Sequence, residues 1–144
     1  MKNILLLIII FSCNQSITKN QKLVEALSDS SIIIRGNLIE LSGSEFRFDY
    51  YDYYEDDSDF EMLQELNYQG GGYSWEGIVY GAVVLSDESL LNEIRFDPEA
   101  EGLAVWSNSA ETLNKIGRLI SVIKSDDKVL FECIDVANSS FKME

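Results

Sequence analysis

The sequence predicts an α+β fold in a single domain, with a small antiparallel sheet and helices packed on one side of it. Three observations predict this fold. The chain of 144 residues has the length of one domain, and its 46% of hydrophobic residues suffice for one core. Strand-like segments come first and helix-like segments follow, with a hairpin embedded among the helices, which is an order typical of α+β domains. The segment Glu45–Tyr50 alternates apolar and charged residues, as a strand covered on one face does.

The N-terminus predicts a lipoprotein signal peptide. A short positive region with Lys2 precedes eight consecutive apolar residues, Ile4–Phe11. A helix of that length covers about 12 Å, which is too short for the ~30 Å core of a membrane but is typical of a signal peptide. The following Ile10-Phe11-Ser12-Cys13 resembles a bacterial lipobox, although Phe11 is bulkier than the usual residue. We expect lipidation of Cys13 and stable membrane attachment; a secreted protein cleaved elsewhere is the alternative.

This interpretation divides the chain into three parts. We assign residues 1–12 to the signal peptide, 13–21 to a polar tether and 22–144 to the folded domain. The protein is therefore expected in a bacterial cell envelope, anchored by lipid and facing the periplasm. Cleavage removes Lys2, so that the mature chain is more acidic, and leaves Cys133 as the one cysteine besides the lipidated Cys13, which excludes an internal disulfide. We interpret Cys133 as a buried structural thiol.

The first half of the domain is predicted from its periodicity and its turn residues. Two helical turns, three strands and a short helix are expected, in the order Gln21–Leu27, Ser31–Arg35, Leu38–Leu41, Glu45–Tyr50 and Asp59–Leu66. Three consecutive glycines, Gly70 to Gly72, then interrupt the chain and form either a hinge or a close-packing turn. Ser74 is predicted to cap a helix over Trp75–Leu85.

The second half is predicted to contain a helical turn, a hairpin and two further helices. Their expected positions are Ser86–Leu91, Ile94–Phe96, Leu103–Trp106, Ala110–Ile123 and Asp126–Ala137. Asp97-Pro98 is the beginning of a type I turn in the hairpin. Ser109 is predicted to cap the first of the two helices, and the positive charge of Lys124 in its last turn interacts favourably with the helix dipole.

Composition opposes several classes of function. The chain has 25 acidic and 11 basic residues, a net charge of −14, and no His. We predict no nucleic-acid partner, because that affinity comes from clustered Lys and Arg. The lack of His removes Ser/His and Cys/His nucleophile pairs and His-ligated metals. We predict no cofactor and no dedicated metal site. Asp57-Ser58-Asp59 resembles the start of a calcium loop, but Met62 stands where that loop needs Gly.

An acidic segment with interspersed tyrosines is the strongest candidate for a binding surface. Between Arg47 and Arg95 the chain has twelve acidic residues and no basic one. Carboxylates attract a basic partner over distance, and tyrosines supply rigid contact area. The predicted contact residues are Tyr50, Tyr51, Asp52, Tyr53, Tyr54, Glu55, Asp56, Asp57 and Asp59. The alternative is that Tyr50 and one or two other tyrosines pack at the edge of the core and the acids form a solvated loop.

Three segments together carry a resemblance to a known family. They are Gly70-Gly71-Gly72-Tyr73-Ser74-Trp75-Glu76-Gly77, Ile94-Arg95-Phe96-Asp97-Pro98-Glu99-Ala100, and Ala104-Val105-Trp106-Ser107 followed by a capped helix. In order and spacing the sequence resembles family fifty-one of the immunity proteins of bacterial polymorphic toxin systems. The resemblance covers about Ser31 to Asn138. Glu101 departs from the family pattern, which often has Gly there, and the lipoprotein leader is a second departure.

The resemblance implies a non-enzymatic protein that binds and blocks a cognate toxin domain, which we expect to have a basic surface. Five residues match the family motif and are interpreted mainly as scaffold: Trp75, Glu76, Phe96, Asp97 and Pro98. A lipid anchor would restrict the toxin to one that acts in or crosses the periplasm. Two alternatives remain, an envelope lipoprotein with a structural or assembly role and a carboxylate-dependent cell-wall hydrolase.

Overall fold

The computed structural model describes residues 16–140 and 142–144, which form five α-helices and four strands. The helices are α1 (Gln21–Ala26), α2 (Phe60–Glu65), α3 (Gly72–Ser86), α4 (Ala110–Ser125) and α5 (Asp127–Ser139). The strands are β1 (Asn37–Glu40), β2 (Phe46–Tyr50), β3 (Arg95–Pro98) and β4 (Leu103–Ser107). Two 3-10 turns, Asp52–Tyr54 and Glu88–Asn92, connect them. The α+β prediction is confirmed.

The four strands form one antiparallel sheet in the order β1-β2-β4-β3. Phe48 pairs with Leu38 on one side and with Val105 on the other, and Val105 pairs in turn with Phe96. The covered face of the sheet packs on α3 and α4, where Phe48 and Val105 are fully buried. In β2, Phe48 and Tyr50 are buried and Phe46 packs against the core, as predicted, and Arg47 contacts Trp106 on the opposite face. Asp49, which the alternation predicted on the uncovered face, is also buried.

The opposite face of the sheet has a charged row around Trp106. Arg47 and Arg95 are its partners in register on the two neighbouring strands. Their guanidinium carbons lie 5.6 and 5.1 Å from the centre of the Trp106 ring, within the range of cation–π contacts. The indole N–H of Trp106 donates to Asp97 at 3.1 Å. Aromatic and charged side chains therefore cover this face in place of a helix.

Helix α3 is the centre of the core, where it contacts β3 and β4 of the sheet, α4 and, most extensively, α5. Glycine makes the α3–α5 contact close: a Cβ atom added at Gly81 would lie 2.2 Å from the backbone oxygen of Cys133. Cys133 is a free, fully buried cysteine, as predicted. Burial raises the pKa of its thiol far above the ordinary range, which makes the thiol inert.

Three helix starts follow the capping residues in the sequence. The side chains of Asn20, Ser109 and Asp126 accept backbone N–H groups in the first turns of α1, α4 and α5. The prediction for α3 is wrong at its N-terminus, because the helix begins at Gly72 and Gly71 is its N-cap. Ser74 lies inside the first turn and donates to the backbone oxygen of Glu144 at 2.5 Å.

Two further predictions are corrected. Ser31–Arg35 is not a strand but an extended loop along α4, where Arg35 N donates to Gly117 O and Ser121 Oγ donates to Ile33 O. These bonds tie its backbone to α4, and no neighbouring strand pairs with it among the described residues. The turn predicted at Asp97–Ala100 lies later, because Pro98 still pairs with Leu103 in the edge strand β3.

The signal peptide, Cys13 and the first part of the predicted tether lie outside the described residues. Lys19 and Asn20 are described, and both bind the C-terminal end of α3: the ammonium group of Lys19 donates to Val84 O at 2.7 Å, and Asn20 N donates to Leu85 O at 2.9 Å. Within residues 16–140 and 142–144, no helix has the length and apolarity needed to cross a membrane.

Candidate functional site

The acidic segment begins inside the core. Tyr50, the last residue of β2, is 1% exposed, and its ring packs edge-on against Trp75 with 4.8 Å between centroids. Burial, together with the nearby carboxylate of Asp52, raises its pKa well above the ordinary range. Its hydroxyl donates to Asp52 at 3.2 Å, and Asp52 is also 1% exposed. The side chains of Tyr50 and Asp52 are therefore not accessible to a binding partner.

Lys124, in the last turn of α4, contacts the acidic segment on its buried side. Its ammonium nitrogen lies 2.8 Å from Asp52 Oδ1 and 2.6 Å from Asp59 Oδ2, and it also donates to the backbone oxygen of Asp57. The Lys124 side chain is 1% exposed. Burial alone would lower its pKa, but the bonds to Asp52 and Asp59 outweigh burial and raise that pKa. The ammonium group therefore stays charged at neutral pH.

Arg35 binds the outer side of the same segment. Its two terminal nitrogens donate to the two carboxylate oxygens of Asp57 at 2.7 and 2.8 Å, and one of them also donates to Glu55 at 2.5 Å. The hydrogen bond from Arg35 lowers the pKa of Asp57, whose side chain is half exposed. Four carboxylates of the segment thus share two cations, and the local charge stays negative.

Three tyrosines of the segment are exposed and form what we call the tyrosine ridge: Tyr51, Tyr53 and Tyr54. Their exposed fractions are 42%, 51% and 65%. Tyr53 packs edge-on against Tyr54 and against Phe60, with centroid distances of 5.2 and 4.9 Å. The hydroxyl of Tyr54 donates to Glu101 at 2.7 Å, which fixes the ridge against the β3–β4 hairpin. The alternative interpretation describes Tyr50, which packs in the core, but not these three exposed tyrosines, and the acids form ion pairs instead of a solvated loop.

A cleft lies on each side of the ridge. The first, of about 510 Å³, is lined by Gly36, Asn37, Asp49, Tyr50, Tyr51, Tyr54, Glu55 and Asp56. The second, of about 490 Å³, is lined by Tyr53, Phe60, Gln64, Gln69, Ala100 and Glu101. Asp56, which is exposed, belongs to the first cleft. The surface around the ridge therefore joins the loop after β2, the α2–α3 connection and the hairpin.

Three residues that bind the acidic segment lie outside the part of the chain that the sequence indicated: Arg35, Lys124 and Glu101. The helix pattern predicts Lys124 in the last turn of α4, but the carboxylate partners of Lys124 lie 65 and 72 residues away along the chain. Glu101 is 47 residues from Tyr54. A signal for Glu101 was its departure from the family pattern, at a position that contacts the ridge.

The residues of the family motif lie mainly between the core and the hairpin. Trp75 is 1% exposed, Phe96 packs against the core, and Pro98 ends the edge strand. Asp97 accepts the indole N–H of Trp106. Glu76 is partly buried, and burial raises its pKa.

The glycine run of the motif is a close-packing turn. A Cβ atom on Gly71 would lie 2.0 Å from Ala100 O, and one on Gly72 would lie 1.9 Å from Gly102 O. Backbone oxygens cannot move aside as a side chain can, so these positions require glycine for space. This contact brings the start of α3 against the hairpin turn beside the ridge.

The acidic segment forms ion pairs in place of a calcium loop. Asp57 binds Arg35, and Asp59 binds Lys124. In residues 16–140 and 142–144, no three His, Cys, Asp or Glu side chains are grouped so that they could hold a metal ion.

Comparison with protein families gives a match to the model of Immunity protein 51 over residues 40–139. The chain belongs to the Immunity protein 51 family. The matched part includes the whole acidic segment, the glycine turn, the hairpin and both C-terminal helices. Comparisons with curated proteins and with solved structures give no match. The Immunity protein 51 resemblance inferred from sequence motifs is therefore confirmed.

Proposed function

We propose that this Immunity protein 51 member is a membrane-anchored, non-enzymatic inhibitor that binds and neutralises a cognate bacterial toxin. The observation that carries the proposal is the family match over residues 40–139, about two thirds of the chain. In this role, the exposed tyrosines and carboxylates of the acidic segment would bind the cognate toxin.

The exposed part of the acidic segment is the toxin-binding surface in this proposal. It comprises Tyr51, Tyr53, Tyr54, Glu55, Asp56 and Asp57, whereas the carboxylate of Asp59 binds Lys124 and faces inward. Tyrosine is enriched where proteins bind proteins, because it offers a large contact area with few rotatable bonds. The remaining negative charge favours a toxin domain with a basic surface.

The lipid anchor defines where the inhibitor meets the toxin. A protein lipidated at Cys13 and exposed to the periplasm would intercept a toxin that acts in that compartment or crosses it. Intact-mass spectrometry of the purified mature protein tests the anchor: we expect Cys13 as the first residue with attached acyl chains. An unmodified Cys13 at the mature N-terminus would overturn the anchor and leave the inhibitor role standing.

Co-expression tests the inhibitor role. A candidate toxin, the C-terminal domain of a large secreted protein encoded next to this gene, would be produced in a susceptible cell and directed to the periplasm, with and without the immunity protein. We expect growth only when both are present, and co-purification of the two proteins. Continued toxicity in the presence of the folded, exported immunity protein would refute the pairing.

A further inference from the structure

The structure separates the proposed toxin-binding segment into residues that face inward and residues that face outward. The side chains of Asp52 and Asp59 bind Lys124 and are 0% and 21% exposed. Tyr53 and Tyr54 are more than half exposed. A carboxylate that already binds a buried ammonium group is a poor contact for a partner, because the contact would leave that charge unpaired.

We propose that the toxin is bound by the tyrosine ridge, and that Lys124 is a positioning residue that holds the ridge in its binding conformation. This inference rests on the toxin-binding role proposed above. The occupant is the cognate toxin domain, with a surface that receives the tyrosine rings and places basic groups near the ridge. The basic character follows from the four carboxylates that share only Lys124 and Arg35.

Lys124 can hold the ridge because its ammonium group reaches both ends of the segment. Its contacts, Asp52 Oδ1, Asp57 O and Asp59 Oδ2, lie before and after Tyr53 and Tyr54 in the chain. An ammonium group has three donors, and these contacts use all of them. A loop that is already ordered loses less conformational entropy when it binds. The carboxylates that bind Lys124 therefore determine the position of the ridge, and the tyrosines contact the toxin.

The experiment measures two properties of the same variants. Affinity for the toxin's C-terminal domain would be measured by calorimetry, and the segment's order by hydrogen exchange of amides 53–58 without toxin. Lys124→Met alone leaves the buried Asp52 without its cation and threatens the fold. The main variant therefore combines Lys124→Met with Asp52→Asn and Asp59→Asn, which removes the whole charged group. Lys124→Arg, which keeps the charge, tests rescue.

We expect the triple variant to fold, to exchange amides 53–58 faster and to bind the toxin roughly tenfold or more weakly. Lys124→Arg should recover part of the slow exchange and part of the affinity. Tyr53→Ala with Tyr54→Ala should weaken binding to a similar extent without faster exchange at amides 55–58. Glu88→Ser, at an exposed carboxylate in the 3-10 turn after α3, is the control, and its binding should stay within about twofold of wild type. A triple variant that binds as wild type, or a loss for Glu88→Ser equal to that of the tyrosine variant, would overturn the proposal.

The two proposals fail in different ways. A wild-type protein that does not bind the toxin domain overturns the inhibitor role, and with it the partner of the ridge. Unchanged exchange at amides 53–58 in the triple variant overturns the role of Lys124 whether or not a toxin binds. Tight binding that neither the tyrosine variant nor the Lys124 variants weaken leaves the inhibitor role intact and places the interface elsewhere on the protein.

Discussion

At Gly72, two backbones meet beside the ridge. A Cβ atom there would lie 1.9 Å from Gly102 O and 2.2 Å from Glu99 O, both in the hairpin turn. We expect Gly72→Ala to lower the free energy of unfolding by about 3 kcal/mol, because backbone must shift to make room. Gly43→Ala is the control: Gly43 has a φ of 89° but open space around it, so about 1 kcal/mol of backbone strain is expected. Urea unfolding measures both; equal losses would argue against the steric explanation.

The Arg35–Asp57 pair gives a prediction about pH. The hydrogen bond from Arg35 lowers the pKa of Asp57 below its ordinary 3.8, so folding favours the ionised carboxylate. Its stabilisation is therefore present above pH 3.8 and is lost as the pH falls through the lower, folded-state pKa. We expect Arg35→Gln to cost less than about 1 kcal/mol at neutral pH, since Asp57 is half exposed.

Urea titrations of wild type and Arg35→Gln at several pH values test this. The difference between the two proteins should be constant from neutral pH down to mildly acidic pH and should shrink below pH 3.8. Gly43→Ala, which changes no ionisable group, serves as the control and should show no comparable trend. A difference that grows with acidity would contradict the assignment.

At the scale of elements, the sequence predicted best where local chemistry decides. Ser109 marks the start of α4, because its hydroxyl accepts the N–H of Thr112 at 3.1 Å. The alternation of β2 placed Phe48 on the covered face. Ser31–Arg35 was misread because β-branched residues are typical of strands, whereas here Ile34 packs against α4 at Gly117, which no local pattern reveals.

The candidate site was predictable as a segment and not as a surface. The run of tyrosines and carboxylates located the ridge. The inward position of Asp52 depends on Lys124, and that of Tyr50 depends on Trp75. These partners are distant in sequence, so only the fold could separate the residues that hold the segment from those that a partner can reach.

The cap of α4 supplies a prediction for that element. Ser109→Ala removes the acceptor of one backbone N–H in the first turn, and we expect it to lower the free energy of unfolding by about 1 kcal/mol. Ser125→Ala, at the exposed last residue of the same helix, should change it by less than about 0.5 kcal/mol. Chemical denaturation of both variants provides the comparison; a Ser109→Ala effect as small as that of Ser125→Ala would refute the role of the cap.

Across the whole molecule, α3 separates the tether from the ridge. Lys19 and Asn20 bind the C-terminal end of α3, at Val84 and Leu85. The hairpin that contacts the ridge packs on its N-terminal end at Gly72. A helix of 15 residues is about 22 Å long. From Cys13 to Lys19 the chain reaches roughly 20 Å at most. A lipid on Cys13 would therefore hold the tether end near the membrane and leave the ridge farther from it.

This arrangement predicts a difference in access. Asp56→Cys places a thiol beside the ridge, and Asp135→Cys places one in the cleft at the tether, which Lys19 and Glu132 also line. With Cys133 buried, each variant offers one reactive thiol once Cys13 is lipidated or, in the soluble form, replaced by Ser. A maleimide on a bulky polymer should label the Asp56→Cys variant equally fast in the anchored and soluble forms. It should label the Asp135→Cys variant more slowly in the anchored form, because the membrane lies close to the tether. Equal labelling of the Asp135→Cys variant in both forms would show that the membrane does not cover the tether end.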